Sequence, residues 1–206
     1  MAKIVSTLFI GLDGVIEPEE DWHFPYFDEN MGAAVTEDYE TSDTVLIGRV
    51  TYDSFEGAWP DRETAGEEDA QFAKWLGDAR KIVVSRARDR DLGWRNVEWL
   101  EGDLVDAAKA LRADPGVKGV IVPGSVSVVR QLLAAGVLDE LRLLVHPVAV
   151  RHGERLFDDS DTVQPFRLLR SESYPTGVVR LIYAPSELPG TTSYDDIKEH
   201  VPLSEG

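Results

Sequence analysis

Short runs of β-branched and aliphatic residues recur along the chain, separated by polar and glycine-containing stretches. These runs are too short for helices and therefore predict strands. They occupy residues 3–10, 44–47, 81–84, 96–100, 120–122 and 141–145. The runs at 44–47 and 120–122 carry little polar character, which is typical of strands that are buried on both faces of a sheet.

Between the strands, apolar residues recur at helical spacing, three to four positions apart. The pattern predicts helices over residues 30–39, 72–79, 103–113 and 126–133, with Asp103 as the cap of the third. The alternation of about eight strands with four or five helices predicts an α/β fold. We expect a three-layer sandwich around a mainly parallel sheet.

The C-terminal part of the pattern differs from the rest. Residues 166–174 and 178–183 flank a Pro-Thr-Gly turn, which predicts an antiparallel hairpin at the end of the sheet. Residues 60–71 contain proline, glycine and five acidic residues and predict a surface loop. We expect one domain over residues 1–184 and a tail or arm over residues 185–206.

Several strand ends carry groups that suit an anion. After the run at 120–122, Pro123 and Gly124 stop the strand and Ser125 can cap the next helix. The backbone N–H groups and the positive end of that helix favour a negatively charged ligand in the turn. A plain connection between strand and helix, without a ligand, explains the same residues.

Two further strand ends add cations and hydroxyl groups. Gly48 and Arg49 follow the run at 44–47, with Thr51 in the first turn of the next helix, and this combination suits a phosphate monoester. Ser85 and Arg86 follow the run at 81–84. The alternative is that Arg49 only pairs with a neighbouring carboxylate, since the chain contains 38 acidic residues.

Residues 15–29 are rich in aromatic side chains, among them Trp22, Phe24 and Phe27. Such a segment either packs onto the core or lines a pocket for a flat ligand. Asp13 lies in a Gly-Leu-Asp-Gly turn after the first strand, where it either stabilises the turn or faces a ligand. His146 is the best placed of four histidines, and a structural hydrogen bond is the expected role for it.

Composition narrows the possible functions. The net charge of −17 disfavours nucleic acids and anionic membranes as partners. Because the chain has no cysteine, disulfides, thiolate catalysis and cysteine-zinc sites are excluded. The N-terminus lacks the apolar segment of a signal peptide, and no apolar run is long enough to span a bilayer. We expect a cytoplasmic protein.

The order of these motifs resembles the dihydrofolate reductase-like proteins, and within them the reductase branch of riboflavin biosynthesis, the C-terminal domain of RibD. The resemblance extends over residues 3–184 and is carried by five segments. They are Leu12-Asp13-Gly14, Gly48-Arg49-Val50-Thr51-Tyr52, Val122-Pro123-Gly124-Ser125, the stretch 136–143, and His146-Pro147-Val148 with Gly153 and Arg155-Leu156-Phe157. Neither the Rossmann fingerprint nor the P-loop occurs in the chain.

The resemblance implies an NADPH-dependent reductase that transfers a hydride to a small heterocyclic or ribosyl substrate. The implied cofactor-binding residues are Gly48, Arg49, Thr51, Ser85, Arg86, Pro123, Gly124, Ser125 and Val126, of which Arg49 and Thr51, helped by Ser85 and Arg86, would hold the 2′-phosphate. Asp13 and Asp28 are the implied catalytic acids. The implied substrate-binding residues are Trp22, Phe24, Phe27 and Tyr52.

Two positions depart from the resemblance. Many relatives have a glycine where this chain has Pro123, and the proline removes one N–H donor. Many also have a glycine where this chain has Arg151. A protein that binds NADP(H) without turnover, or a scaffold with an empty cleft, is therefore kept as an alternative. We also expect a homodimer, in which the apolar strand over residues 141–150 and the C-terminal hairpin extend the sheet or bury a face between subunits.

Overall fold

The computed structural model describes residues 1–17, 20–66, 69–157 and 163–190. Its strands are β1 Lys3–Gly11, β2 Thr44–Gly48, β3 Arg80–Val84, β4 Val97–Trp99, β5 Gly119–Val122, β6 Glu140–His146, β7 Phe166–Ser173 and β8 Val179–Pro185. Its α-helices are α1 Glu20–His23, α2 Glu29–Glu40, α3 Arg49–Ala65, α4 Ala70–Asp78, α5 Leu104–Ala113 and α6 Val126–Ala134, and a 3-10 turn follows α1 over Phe24–Tyr26. The predicted alternation of strands and helices is confirmed.

One sheet contains all eight strands, in the order β4-β3-β2-β5-β1-β6-β8-β7. The first six of these run parallel to one another, and β8 and β7 continue the sheet antiparallel beyond β6. The mainly parallel sheet with a C-terminal antiparallel hairpin is therefore confirmed. Because β1, β2 and β5 are central, their short apolar sequences are buried almost throughout.

Helices cover both faces of the sheet, which gives the three layers. On one face, α5 and α6 pack on β1, β5 and β6 through residues such as Leu104, Val129 and Leu132. On the other face, α3 and α4 pack on β2 and β3 through an aromatic cluster that includes Tyr52 and Leu76. The helices that follow β2 and β5 thus leave these neighbouring strands toward opposite faces.

Helix α3 is longer than the sequence predicts. Residues 60–65, expected in a surface loop, belong to the helix, which contains Pro60 and ends at Gly66 in a left-handed conformation. The aromatic ring of Trp59 packs against Phe72 of α4, with 5.1 Å between the ring centroids. This packing holds the helix across the proline, so tertiary contacts override the local signal of the sequence.

The second face also contains a buried ion cluster beneath α2. Asp38 is fully buried, accepts a hydrogen bond from Thr7 Oγ1 at 2.9 Å and pairs with Arg142 at 2.9 Å and with Arg180. Glu140 pairs with Arg142 at 2.7 Å. The cluster ties α2 to β1, β6 and β8, and it thereby fixes the aromatic segment that precedes α2.

The C-terminal boundary is partly described. Pro185 belongs to β8, so the predicted tail begins at the last residue of a strand, and residues 191–206 lie outside the described residues. Strand β7 forms one edge of the sheet and is mostly exposed. Of the helices in the described ranges, none combines the length and the apolar composition needed to cross a bilayer.

Candidate active site at the carboxyl edge of the sheet

The predicted site segments lie along one edge of the sheet. Because β1, β2, β3, β5 and β6 are parallel, their carboxyl ends all face the same side. The crevice between two neighbouring strands whose helices leave toward opposite faces is the usual ligand site of open α/β sheets. Strands β2 and β5 form such a pair here, and Gly48, Gly124 and Ser125 lie at their ends.

The turns after β2 and β5 approach each other closely. The backbone N–H of Gly48 donates a hydrogen bond to Gly124 O at 2.8 Å, and Thr51 Oγ1 lies 3.5 Å from Ser125 Oγ. A Cβ atom on Gly48 would lie 2.1 Å from Ser125 Oγ, and one on Gly124 would lie 2.7 Å from Thr51 Oγ1. Glycine is therefore required at both positions, and the starts of α3 and α6 share one small space.

Both helix starts lack a side-chain cap. Gly48 has no side chain to offer, and the hydroxyl of Ser125 makes no capping hydrogen bond to α6. By contrast, Asp103 caps α5 by accepting from two backbone N–H groups. The first N–H groups of a helix have no acceptor within the helix, so α3 and α6 direct unsatisfied donors and positive dipole ends at this space. The arrangement suits a phosphate or pyrophosphate.

Pro123 and Val126 complete the β5 turn. Pro123 is half-buried at the end of the strand and offers no N–H donor, whereas Val126 is buried and begins α6. Pro123 thus precedes the helix, and the N–H groups at the start of α6 are unaffected by it. A proline in place of glycine removes a donor from the turn only.

Arg49 lies at the same edge and is held by carboxylates. It pairs with Asp89 and, at 3.3 Å, with Asp53, and it donates to Ala87 O at 3.2 Å. Its guanidinium carbon lies 5.7 Å from the centroid of the Trp99 ring. The hydrogen bonds that Arg49 donates to Asp89 and Asp53 raise its pKa. Arg49 thus pairs with neighbouring carboxylates, as the alternative to a phosphate-binding role expects.

Ser85 and Arg86 follow β3 beside this cluster. Ser85 Oγ donates to Ala87 O at 2.6 Å and accepts from the Ala87 N–H, which fixes the turn. Arg86 is exposed and makes no hydrogen bond or ion pair within the described ranges. It is therefore a cation at the edge that can pair with a ligand without first leaving a carboxylate.

Both predicted acids accept backbone hydrogen bonds. Asp13 accepts from the N–H groups of Val150 at 3.2 Å and Arg151 at 2.7 Å, and these bonds lower its pKa. Asp28 caps α2 by accepting from Met31 N at 2.9 Å, which lowers its pKa in the same way. Both carboxyl groups are thus ionised at neutral pH, and the structure gives each of them an anchoring role.

The predicted substrate residues divide into two groups. Trp22 is buried, whereas Phe24 and Phe27 are 58% and 47% exposed. Tyr52 is fully buried in the aromatic cluster between α3 and the sheet, and its hydroxyl donates to Glu56 at 2.7 Å. Tyr52 therefore lies in the core and not at the edge, because the fourth residue of α3 faces the sheet.

Comparison with known proteins agrees with this architecture. The family described as the RibD C-terminal domain matches residues 2–180. The chain belongs to this family. The uncharacterized protein YyaP of Bacillus subtilis (strain 168) is 27% identical over 184 residues, which cover 88% of this chain and 94% of YyaP.

Solved structures share the fold of this RibD C-terminal domain family member. A Shewanella sp. PV-4 protein named for riboflavin biosynthesis superposes with a TM-score of 0.70 at 21% identity, over 91% of this chain and all of that one. A pyrimidine reductase-like protein of Corynebacterium diphtheriae gives 0.66 at 16% identity, over 90% and 92% of the two chains. Acinetobacter baumannii RibD gives 0.67 at 15%, and the match spans 59% of it.

Sequence reasoning missed one feature of this family member. The rings of His23 and His146 are both buried, and His23 Nδ1 lies 3.1 Å from His146 Nε2. The predicted hydrogen bond of His146 exists, since its Nδ1 lies 3.0 Å from Leu144 O. Nothing in the sequence pairs residues that are 123 positions apart, so only the fold shows the histidine pair.

The backbone at Arg151 adopts a conformation that suits glycine, the residue expected at this position. Its φ angle is 72°, which is the left-handed region that favours glycine. Its backbone N–H donates to Asp13, so the backbone conformation is held while its side chain is exposed. Arg151 thus keeps the backbone shape that a glycine adopts easily.

Proposed function

We propose that the chain is an NADPH-dependent reductase that transfers a hydride to a small heterocyclic or ribosyl substrate. The observation that carries the proposal is the close approach of two uncapped helix starts, α3 and α6, at the strand pair β2 and β5. Membership of the RibD C-terminal domain family supports a reductase. A solved Thermotoga maritima relative is named as a deaminase and a 5-amino-6-(5-phosphoribosylamino)uracil reductase.

The residues present fit the dinucleotide. The free backbone donors at the starts of α3 and α6 would hold its phosphates, and glycine at positions 48 and 124 lets the two turns that present these donors lie close together. Arg86 would hold the 2′-phosphate, and Arg49 would join it by exchanging Asp89 for the phosphate. When bound, NADPH supplies the hydride that the chain itself cannot provide.

The substrate side lies toward β1 and β6. In the sheet order, β5 is followed by β1 and then β6, so the turn that contains Asp13 lies next to the proposed cofactor space. Asp13 holds the backbone of residues 150 and 151 in place at this edge. Phe24 and Phe27 offer exposed aromatic faces on which a flat ring can stack. The catalytic roles of Asp13 and Asp28 stay predictions.

The proposal is tested by titrating the protein with NADPH and with NADH while tryptophan fluorescence is recorded. Trp99 lies beneath Arg49, so a nucleotide bound there quenches its emission, and Trp99→Phe removes that part of the signal. We expect NADPH to bind more tightly than NADH. Arg49→Ala and Arg86→Ala should each weaken NADPH binding about 10–100-fold, because each removes one or two charge-assisted hydrogen bonds.

Arg62→Ala is the matched control for Arg49→Ala. Arg62 lies in the same helix, pairs with Asp69 at 2.7 Å and packs over Trp59, but it is at the other end of α3. It should bind NADPH like the unaltered protein. Equal, weak or absent binding of both dinucleotides refutes the cofactor site. Saturable binding without NADPH oxidation in the presence of pteridine or aminopyrimidine substrates refutes the hydride transfer alone.

We also propose that the protein is a homodimer that uses the edge strand β7. The strand exposes Leu168 and Leu169, and a register shift between Leu168 and Arg170 interrupts its pairing with β8. Exposed leucines on an open sheet edge favour pairing with another copy. Sedimentation of the unaltered protein and of Leu168→Lys should give a dimer and a monomer, and a monomeric unaltered protein contradicts the proposal.

A further inference from the structure

The buried histidine pair has a defined arrangement of hydrogens. A carbonyl oxygen only accepts, so the 3.0 Å contact with Leu144 O places a hydrogen on Nδ1 of His146. In a neutral imidazole the other nitrogen is then an acceptor, so Nε2 of His146 accepts from Nδ1 of His23. Nε2 of His23 is left without a hydrogen, and it has no partner within the described ranges.

The surroundings keep both rings neutral. Burial lowers the pKa of His23 to about 4, with a smaller contribution from His146. Burial also lowers the pKa of His146, although the carbonyl groups of Leu144 and Ile10 act in the opposite direction. Neither ring is hydrogen bonded to a carboxylate within the described residues. His23 Nε2 is therefore a lone-pair acceptor at neutral pH.

Aromatic rings enclose this acceptor. The His23 ring lies 4.2 Å from Phe9, 5.5 Å from Phe24 and 5.6 Å from Phe27, measured between centroids. Trp22 packs edge-on against His146 at 5.1 Å, and its indole nitrogen is buried without a hydrogen-bond partner among the described residues. This aromatic cluster thus has an unsatisfied donor at Trp22 and an unsatisfied acceptor at His23 Nε2. Phe24 and Phe27 are about half-exposed, so the cluster reaches the surface.

The position of the pair connects it to the proposed active site. His146 ends β6 and is in register with Gly11 at the end of β1, two residues before Asp13. Two carboxylates at this edge, Asp13 and Asp28, accept backbone hydrogen bonds. His23 Nε2 is a neutral acceptor at this edge, in addition to the lone pairs that these carboxylates keep.

We propose that His23 is a substrate-recognition residue of this site and that it selects flat rings that carry an N–H donor. A ring stacked on Phe24 and Phe27 donates to His23 Nε2, and His146 is the positioning residue that keeps this nitrogen free of hydrogen. This inference rests on the proposed reductase function, because it assigns the specificity of the same site. It requires no additional reactant, since the contact is a hydrogen bond.

The arrangement of hydrogens is tested directly by ¹⁵N NMR of the protein labelled in histidine, at pH 7 and without ligand. We expect His23 to be protonated at Nδ1 and bare at Nε2. His146→Phe should leave His23 as a mixture of both tautomers. A His23 ring that is protonated at Nε2 in the unaltered protein overturns the proposal.

The selectivity is tested with two small rings of nearly equal size, 2-aminopyrimidine and 2-methoxypyrimidine. Only the first has an N–H donor. In the unaltered protein, 2-aminopyrimidine should shift the Nε2 signal of His23 and bind about 5–10-fold more tightly, as expected for one neutral hydrogen bond. The proposal is overturned if the two rings bind with equal affinity, or if neither ring shifts the ¹⁵N signal of His23 Nε2.

Variants separate this inference from the proposed function. His23→Phe keeps an aromatic ring at the position and should abolish the preference for 2-aminopyrimidine while NADPH binds as before. His152→Phe is the control, because His152 is an exposed histidine. If the unaltered protein does not bind NADPH but still prefers 2-aminopyrimidine, the proposed reductase function is refuted, whereas the recognition of N–H donors by His23 is supported.

Discussion

Replacing Gly48 by alanine tests the close approach of α3 and α6 most directly. The new Cβ would lie 2.1 Å from Ser125 Oγ and 2.6 Å from Ser125 N, whereas ordinary contacts begin at 3.4 Å. The hydroxyl can rotate away, but the backbone nitrogen cannot. The β5 turn must therefore move by several tenths of an ångström, which strains the hydrogen bond from Gly48 N to Gly124 O.

The magnitude follows from two contributions. Overpacking of a well-packed site costs about 1–3 kcal/mol, and the strained backbone hydrogen bond costs about 1 kcal/mol more. We expect Gly48→Ala to lower the free energy of unfolding by about 2–4 kcal/mol. Because the displaced Ser125 is the N-cap residue of α6, the variant should also lose NADPH binding.

Urea unfolding followed by circular dichroism measures the stability, and the NADPH titration measures binding. Gly57→Ala is the matched control, because Gly57 is an exposed residue of the same helix and a Cβ there meets nothing within 4 Å. It should stabilise the protein by about 0.5–1 kcal/mol through helix propensity. If Gly48→Ala is as stable as the unaltered protein and still binds NADPH, the shared space at the two helix starts is refuted.

Three further predictions concern stability. Arg151→Gly should stabilise the protein by about 0.5–1 kcal/mol in urea unfolding, because φ at this position is 72°; an equal gain in Arg151→Ala would show that backbone conformation is not the cause. Asp38→Asn should destabilise by about 1–3 kcal/mol, because it removes the carboxylate that Arg142 and Arg180 share, although Glu140 and Glu37 stay as their partners, and an unchanged urea midpoint would contradict this. Since burial lowers the pKa of His23 from 6.5 to about 4, the unfolded chain binds a proton before the folded one as the pH falls. The stability that depends on neutral His23 is therefore complete above about pH 6.5 and is lost between 6.5 and 4, by about 3 kcal/mol. His23→Phe should flatten the pH dependence of unfolding in that window.

The sequence by itself determined the strands, most helices and the edge of the sheet at which the candidate residues lie. Apolar runs such as residues 44–47 and 120–122 identify buried strands because a parallel strand is covered on both faces. Asp103 identifies the start of α5 because a carboxylate satisfies free N–H groups there. Parallel strands place their carboxyl ends at the same edge of the sheet, and the observed strand order then sets β2 beside β5 and brings Gly48 to Gly124.

Only the tertiary structure decided which partner each side chain meets. The sequence offers many carboxylates to Arg49, and the fold selects Asp89 and Asp53. Tyr52 follows a motif of the site, yet the rotation of α3 on the sheet turns it into the core. The His23–His146 contact joins residues far apart in the chain. Local periodicity fixes the element to which a residue belongs, whereas these contacts depend on how whole elements pack, which no local pattern encodes.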